Sequence, residues 1–321
     1  MAKSINDFPH LNMSILPTPI QYLENISREL GANIWCKRDD LTGFAFGGNK
    51  TRKLDYLLVD AKQKQADTLI GIGAFQSNFC RLTAAMGSRC GFDVELVLGG
   101  KKPEKPTANY MLDILFGAKI HYADSEDWSE WEGEAVRLEA KLISEGRKPY
   151  WMPIGGSSPV GALGYVNAFR EIMEDSKKLK INFDKIFFAT ASAGTQSGLL
   201  VGKVMYEWKG RIAGIGVAKN RRQLTDEILL LSNETGKCFG VKVSLPQIYV
   251  FDEYMGEMYA DLTKECLEAV DFFARKEGIM LDYVYSGKAA AGLIDFARKG
   301  DFSENENILF IHTGGNVGLF R

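Results

Sequence analysis

A chain of 321 residues with 45% hydrophobic and 25% charged residues holds enough apolar material for a sizeable core, which excludes disorder and suggests one large or two medium domains. Its 39 Lys and Arg against 41 Asp and Glu leave a net charge of −2, so no basic field argues for nucleic acid or an anionic membrane, and small-molecule partners are expected. There is no apolar run near the roughly 18 residues of a membrane span, no signal-peptide pattern in Met1 to His10, and no CxxC pair among five scattered cysteines beside three histidines; a cytoplasmic address and no metal centre follow as expectations.

From Asn33 onward, short apolar runs alternate with longer segments of helical spacing, the pattern of parallel sheets covered by helices, so the class is α/β. Near the start of this pattern stands Gly47-Gly48-Asn49-Lys50-Thr51-Arg52-Lys53-Leu54. It is not a nucleotide-binding P-loop, because Asn49 separates Gly48 from Lys50 and the preceding Lys37-Arg38-Asp39-Asp40 is no apolar strand. Taken alone the string reads as a solvated turn. For Lys50 to act as a nucleophile its pKa must fall through desolvation or nearby positive charge, and Arg52 and Lys53 supply charge close by in sequence.

Further along, Thr68 to Ile72 is a predicted strand running into Gly73-Ala74-Phe75-Gln76-Ser77-Asn78 and a helix from about Phe79 to Cys90. Asp93 to Leu98 is the next strand, Ser129 to Glu145 a helix with charge on one side, and the Gly/Pro/Ser-rich stretch Pro153 to Gly161 a candidate crossing between domains. Lys185 to Ala189 is a strand followed by the small residues Thr190 to Thr195 and a helix over Gln196 to Met205. Ile212 to Val217 is a strand, Thr263 to Lys276 a helix, and Ile308 to Ile311 a strand ending in His312-Thr313-Gly314-Gly315-Asn316. Two of these turns suit anions. Ser192-Ala193-Gly194-Thr195 is small enough for a phosphate to approach backbone N–H groups at a helix start, and Gln76-Ser77-Asn78 could receive a carboxylate in the same way, although Ser and Asn are also ordinary helix caps.

The ordered set Trp35 to Gly43, Gly47 to Leu54, Gln76-Ser77-Asn78, Ser192 to Gly198, Val284-Tyr285-Ser286-Gly287-Lys288-Ala289 and His312-Thr313-Gly314-Gly315 resembles the family of D-cysteine desulfhydrase and 1-aminocyclopropane-1-carboxylate deaminase. That family lies within the fold type II, tryptophan synthase β-like, pyridoxal-phosphate (PLP) enzymes. The resemblance implies two open twisted, mostly parallel sheets covered by helices, with residues 1–53 and 163–321 as a larger cofactor-binding domain and residues 54–162 as a smaller one. It also implies a homodimer. PLP is then held covalently on Lys50, with Ser192, Ala193, Gly194 and Thr195 as phosphate cradle, Lys53 adding charge there, and Asn78, Tyr285 and Thr313 around the ring. Gln76, Ser77, Asn78, Tyr259 and Thr313 would bind substrate, and Lys50, Ser77, Tyr259 and Tyr285 would be catalytic, a tyrosine hydroxyl being able to assist proton transfer. Tyr259 is followed by Ala260-Asp261-Leu262 where the family usually has glycine and then proline, which leaves Tyr254 as an alternative.

Two positions separate the subgroups. Deaminases that open a cyclopropane ring carry glutamate after the Val-Tyr tyrosine and leucine after the strand-end histidine; this chain has Ser286 and Thr313, the desulfhydrase pattern. A hydroxyl stabilises a protonated pyridine less than a carboxylate does, which suits elimination with a good leaving group. The expected reaction is therefore α,β-elimination of D-cysteine to pyruvate, hydrogen sulfide and ammonia. The alternatives are the cyclopropane deaminase, a lyase for another β-substituted amino acid such as L-cysteate, and a PLP-binding protein without turnover. Phe79-Cys80-Arg81 in place of the usual His-Val-Arg, and Phe46 before the glycine pair, point to a bulkier pocket.

Overall fold

The computed structural model describes residues 3–320. Ten strands appear among these residues: β1 Ile20–Tyr22, β2 Asn33–Lys37, β3 Thr68–Ala74, β4 Asp93–Gly99, β5 Lys119–Ala123, β6 Pro149–Trp151, β7 Lys185–Thr190, β8 Arg211–Gly216, β9 Tyr249–Phe251 and β10 Asn307–Ile311. They form two sheets. The larger runs β1-β2-β10-β7-β8-β9 and the smaller β5-β4-β3-β6. Every pair is parallel except β1 with β2. The chain is thus α/β with two mostly parallel sheets covered by helices, as its sequence implied.

Runs such as Ile186-Phe187-Phe188 are apolar without interruption because both faces of the sheet are covered. Side chains alternate along the strand. Ile186 and Phe188 pack with Phe169, Leu199 and Ile228 on one face, whereas Phe187 packs with Ile26, Phe273 and Leu293 on the other. The smaller sheet is covered in the same way, by Leu54, Leu58 and Leu82 on one side and Trp131, Leu138 and Leu142 on the other. Among the described residues no helix is long and apolar enough to cross a membrane.

The predicted central strands and helices are present with shifts of one or two residues at their ends. The short edge strands β1, β5, β6 and β9 had no sequence signal, because three to five residues with one side open to water carry little apolar pattern. One local reading changes. The Gly-Gly-Asn-Lys string is a helix start, with Gly48 as N-cap and Lys50 in the first turn of Asn49–Gln63. The helix forms because Leu54, Leu57, Leu58 and Ala61 repeat at the spacing of one helical face and are buried.

The four strands of the smaller sheet lie within residues 54–162 and the six of the larger outside them. The expected limits themselves fall inside two continuous helices, Asn49–Gln63 and Pro159–Leu179. A buried ion network joins these helices to the end of β2. Arg52 donates to both carboxylate oxygens of Asp39 at 2.8–2.9 Å and to both of Glu171 at 2.9 Å; Thr18 and Tyr165 add hydroxyl donors to Asp39 at 2.7 and 2.6 Å. Such a fully paired cluster fixes geometry more than it adds stability, since each charge was taken out of water to make it.

Candidate active site

Lys50 is delivered to the carboxyl ends of the parallel strands, where ligands bind in open α/β sheets. Two glycines make the approach possible. Gly47 and Gly48 have φ of +63° and +114°, and a Cβ on Gly47 would lie 2.4 Å from the Asp40 carbonyl oxygen. The loop is held down by the N–H of Asn49 donating to the carbonyl of Thr313 at 2.9 Å and by Gly48 N–H donating to the carbonyl of Asp39 at 3.1 Å. Helix start, strand end and C-terminal turn are thereby fastened to one another.

Burial pushes the Lys50 amine down to about 8, helped by the positive charge of Arg81 and opposed by Asp282. The first turn of a helix adds to this, since its partial positive charge disfavours an ammonium. The sequence had pointed to Arg52 as a source of charge. For Arg52 that expectation is corrected, because Asp39 and Glu171 neutralise it; Lys53, the other charge expected, is itself held down by burial and Lys50, and Arg81 is the cation that lowers Lys50.

Two adjoining clefts share Lys50, Asn78, Ala191, Ser192 and Tyr285. One is completed by Asn49, Thr190, Ala193, Thr195, Thr313 and Gly314. The other is completed by Ser77, Phe79, Trp128, Trp131, Ile154 and Tyr259, among others. Ala193 adopts φ +64° and caps the helix Gly194–Met205, whose first-turn N–H groups have no intrahelical acceptor and suit an anion. Gly194 N–H donates to the Ser192 carbonyl at 2.8 Å and to Ser157 Oγ at 3.3 Å, and Asn49 Nδ2 donates to Thr195 Oγ1 at 3.2 Å. Lys53 stands behind this turn: a Cβ on Gly194 would come within 2.8 Å of its amine. Its Nζ donates to the Gly155 carbonyl at 3.1 Å, and burial together with Lys50 holds it well below the ordinary lysine range.

Ser77 is both a cap and a wall of the cleft. Its Oγ accepts the Cys80 N–H at 3.2 Å and is also hydrogen-bonded to the Cys80 thiol, while the residue lines the cleft. Gln76 points away: its side chain donates to the Thr107 carbonyl and accepts the Asn109 N–H at 3.0 Å, so it braces a neighbouring loop. Tyr285 is stacked beside the lysine, with Lys50 Nζ 6.0 Å from its ring centroid, and its hydroxyl lies 2.5 Å from that of Tyr259. Burial and the neighbouring Tyr259 raise the Tyr285 phenol well above the ordinary range. Of the two tyrosines left open by the sequence, Tyr259 lines the cleft, while Tyr254 donates to Asp295 at 2.5 Å in a different groove.

Thr313 lines the first of these clefts, but Ser286 does not. The Ser286 hydroxyl donates to Asp282 Oδ1 at 2.6 Å and accepts the Asp282 N–H at 2.9 Å. Asp282 also receives the N–H groups of Val284, Tyr285 and Ser286 at 2.8–2.9 Å, so it sets the position of Tyr285. Sequence reasoning missed Asp282, Trp128, Ile154, Gly155, Ser157 and Arg81. A signal existed only for Ile154, Gly155 and Ser157, in the stretch read as a domain crossing. The others are ordinary core or helix residues until the chain is folded.

Comparison with known proteins bears on what the cleft holds. Residues 11–314 match the family described as "Pyridoxal-phosphate dependent enzyme". The chain belongs to this family. It is a PLP-dependent enzyme of fold type II. It is 44% identical over 317 residues, 99% of this chain and 95% of the relative, to a Pyrococcus furiosus protein named "Putative 1-aminocyclopropane-1-carboxylate deaminase". A Pyrococcus horikoshii protein of the same name is 44% identical over 98% of this chain and 94% of its own length. A crystal structure described as an ACC deaminase homologue superposes with a TM-score of 0.92 at 43% identity, covering 98% of this chain and 94% of that one.

The residues present fit the cofactor. Lys53 is 1% exposed and has a carbonyl but no carboxylate as hydrogen-bond partner, an arrangement that is costly unless an anion such as a phosphate arrives beside the Gly194 turn. Lys50 would hold the group covalently, Ser192 to Thr195 its phosphate, and Asn78, Tyr285 and Thr313 would stand at the ring. Bound PLP supplies an electron sink for negative charge developing at the α-carbon of an amino acid.

Proposed function

We propose that this enzyme deaminates a small α-amino acid to a 2-oxo acid and ammonia, with 1-aminocyclopropane-1-carboxylate as the leading substrate. The substrate assignment draws on the names of the relatives, which moves D-cysteine from first to second place. The observation that carries the reaction class is the group of proton carriers around one cleft: the Lys50 amine, depressed to about 8, and the Tyr259–Tyr285 hydroxyl pair. Lys50 would tether the cofactor and, as a free amine, would carry a proton near neutral pH. A cyclopropane amino acid has no hydrogen on its α-carbon, so bond changes must involve a ring methylene. A half-buried pair of phenols joined by a hydrogen bond is suited to delivering or receiving a proton there. Ser77, a hydroxyl at a helix start on the wall of the cleft, is suited to the substrate carboxylate.

The second reading, α,β-elimination of D-cysteine, is supported by Thr313, a hydroxyl where leucine marks the ring-opening subgroup. A panel of 1-aminocyclopropane-1-carboxylate, D-cysteine, L-cysteine and L-cysteate tests both. 2-Oxobutyrate from the first supports the leading reading; pyruvate and sulfide from D-cysteine, with no 2-oxobutyrate, replaces it by the second. An absence of any product with PLP bound would leave a cofactor-binding protein. We also propose a homodimer, the state the resemblance implies, for which light scattering should give twice 35.7 kDa.

A further inference from the structure

Arg81 is completely buried, sits on the helix that begins at Asn78, and makes all its hydrogen bonds to uncharged oxygens, with the Asp113 carboxyl near enough to act on its charge. Its Nη1 donates to Asn78 Oδ1 at 2.9 Å and to Asn109 Oδ1 at 2.7 Å, and its Nη2 to the Gly47 carbonyl at 2.8 Å. A guanidinium has donors only, so each amide that meets it must turn its oxygen toward it. For Asn109 this leaves Nδ2, which donates to the Gln76 carbonyl at 2.8 Å and to Asn78 Oδ1 at 3.1 Å. Asn78 Oδ1 thus takes two donors. The group Asn78 has left for the cleft is its N–H₂.

We infer that Arg81 and Asn109 are positioning residues that fix the polarity of Asn78, so that it presents a hydrogen-bond donor to an anionic oxygen of the cofactor ring. This rests on the reading that the ring lies beside Asn78. Arg81 also ties the loop before Lys50 to the same network through Gly47, so the lysine and the ring donor are set by one side chain. The backbone is bent to deliver Asn109: Ala108, just before it, has φ +46°. A donor at an anionic ring oxygen draws charge away from it and weakens its hold on the neighbouring proton, which lowers the pH at which the bound cofactor changes colour.

The test is the pH midpoint of the visible band of the holoenzyme, read without any substrate. Asn78→Ala and Arg81→Met are each expected to raise the midpoint, by about one unit for the first. Arg81→Met also removes a charge, so the decisive comparison is a double-mutant cycle. If Arg81 acts through Asn78, its substitution shifts the midpoint clearly less in the Asn78→Ala background than in the wild type. Equal shifts in both backgrounds overturn the inference and leave Arg81 as a charge alone. No shift from Asn78→Ala overturns it together with the ring placement, without touching the substrate assignment. Asn109→Leu, which leaves net charge unchanged, is taken through the same cycle should Arg81→Met fail to fold; its shift must likewise shrink in the Asn78→Ala background, and an undiminished shift refutes the positioning role.

Discussion

The depressed Lys50 amine makes a quantitative prediction about how the enzyme acquires its cofactor. Only the neutral amine attacks an aldehyde. With its pKa moved from 10.5 to about 8, Lys50 is neutral in roughly a tenth of molecules at pH 7, against about one in 3,000 for an unperturbed lysine. The gain of about 300-fold comes from burial first and Arg81 second, so it belongs to the folded apoenzyme. Mixing apoenzyme with PLP at constant ionic strength and following the visible band should give a rate that rises about tenfold per pH unit up to pH 7 and levels off above 8. Lys50→Ala should give no band at any pH. The sign is fixed by the direction of the shift: a lowered pKa moves the plateau to lower pH. A rate that keeps climbing to pH 10 would refute the argument that this pocket desolvates the lysine.

Three further outcomes follow from the same geometry. Lys53→Met should raise the melting temperature of the apoenzyme at pH 7, because it removes a buried cation with a depressed pKa, yet weaken PLP binding by about tenfold or more through loss of a charge-assisted contact, as measured by thermal melts and cofactor titration. Arg52→Met takes the bidentate cation from buried Asp39 and leaves Glu171 with Lys37 alone, and should cost about 3–5 kcal/mol in denaturant unfolding. Tyr285→Phe should keep the cofactor band and the fold while lowering kcat by about 100-fold or more; unchanged kcat would remove the tyrosine pair from proton transfer.

The sequence by itself determined the class of the fold and the cofactor. Buried parallel strands such as β3, β4 and β7 must be apolar throughout, and the turns that follow β3 and β7 must be small or polar to receive anions, so both leave a local pattern. Lys50, Ser77, Asn78 and the Ser192 to Thr195 turn were singled out together through the family resemblance, and the fold brings them to adjoining clefts. What the tertiary structure decided was orientation and partnership, which have no local code. Ser286 looked equivalent to Thr313 but is drawn away by Asp282; Gln76 looked equivalent to Ser77 but braces Thr107 and Asn109. Arg52 lay two residues from Lys50 yet is neutralised, whereas Arg81, 31 residues on, supplies the charge. Distance along the chain does not set distance in a folded protein, and the strength of a charge depends on which counter-charges the fold places beside it.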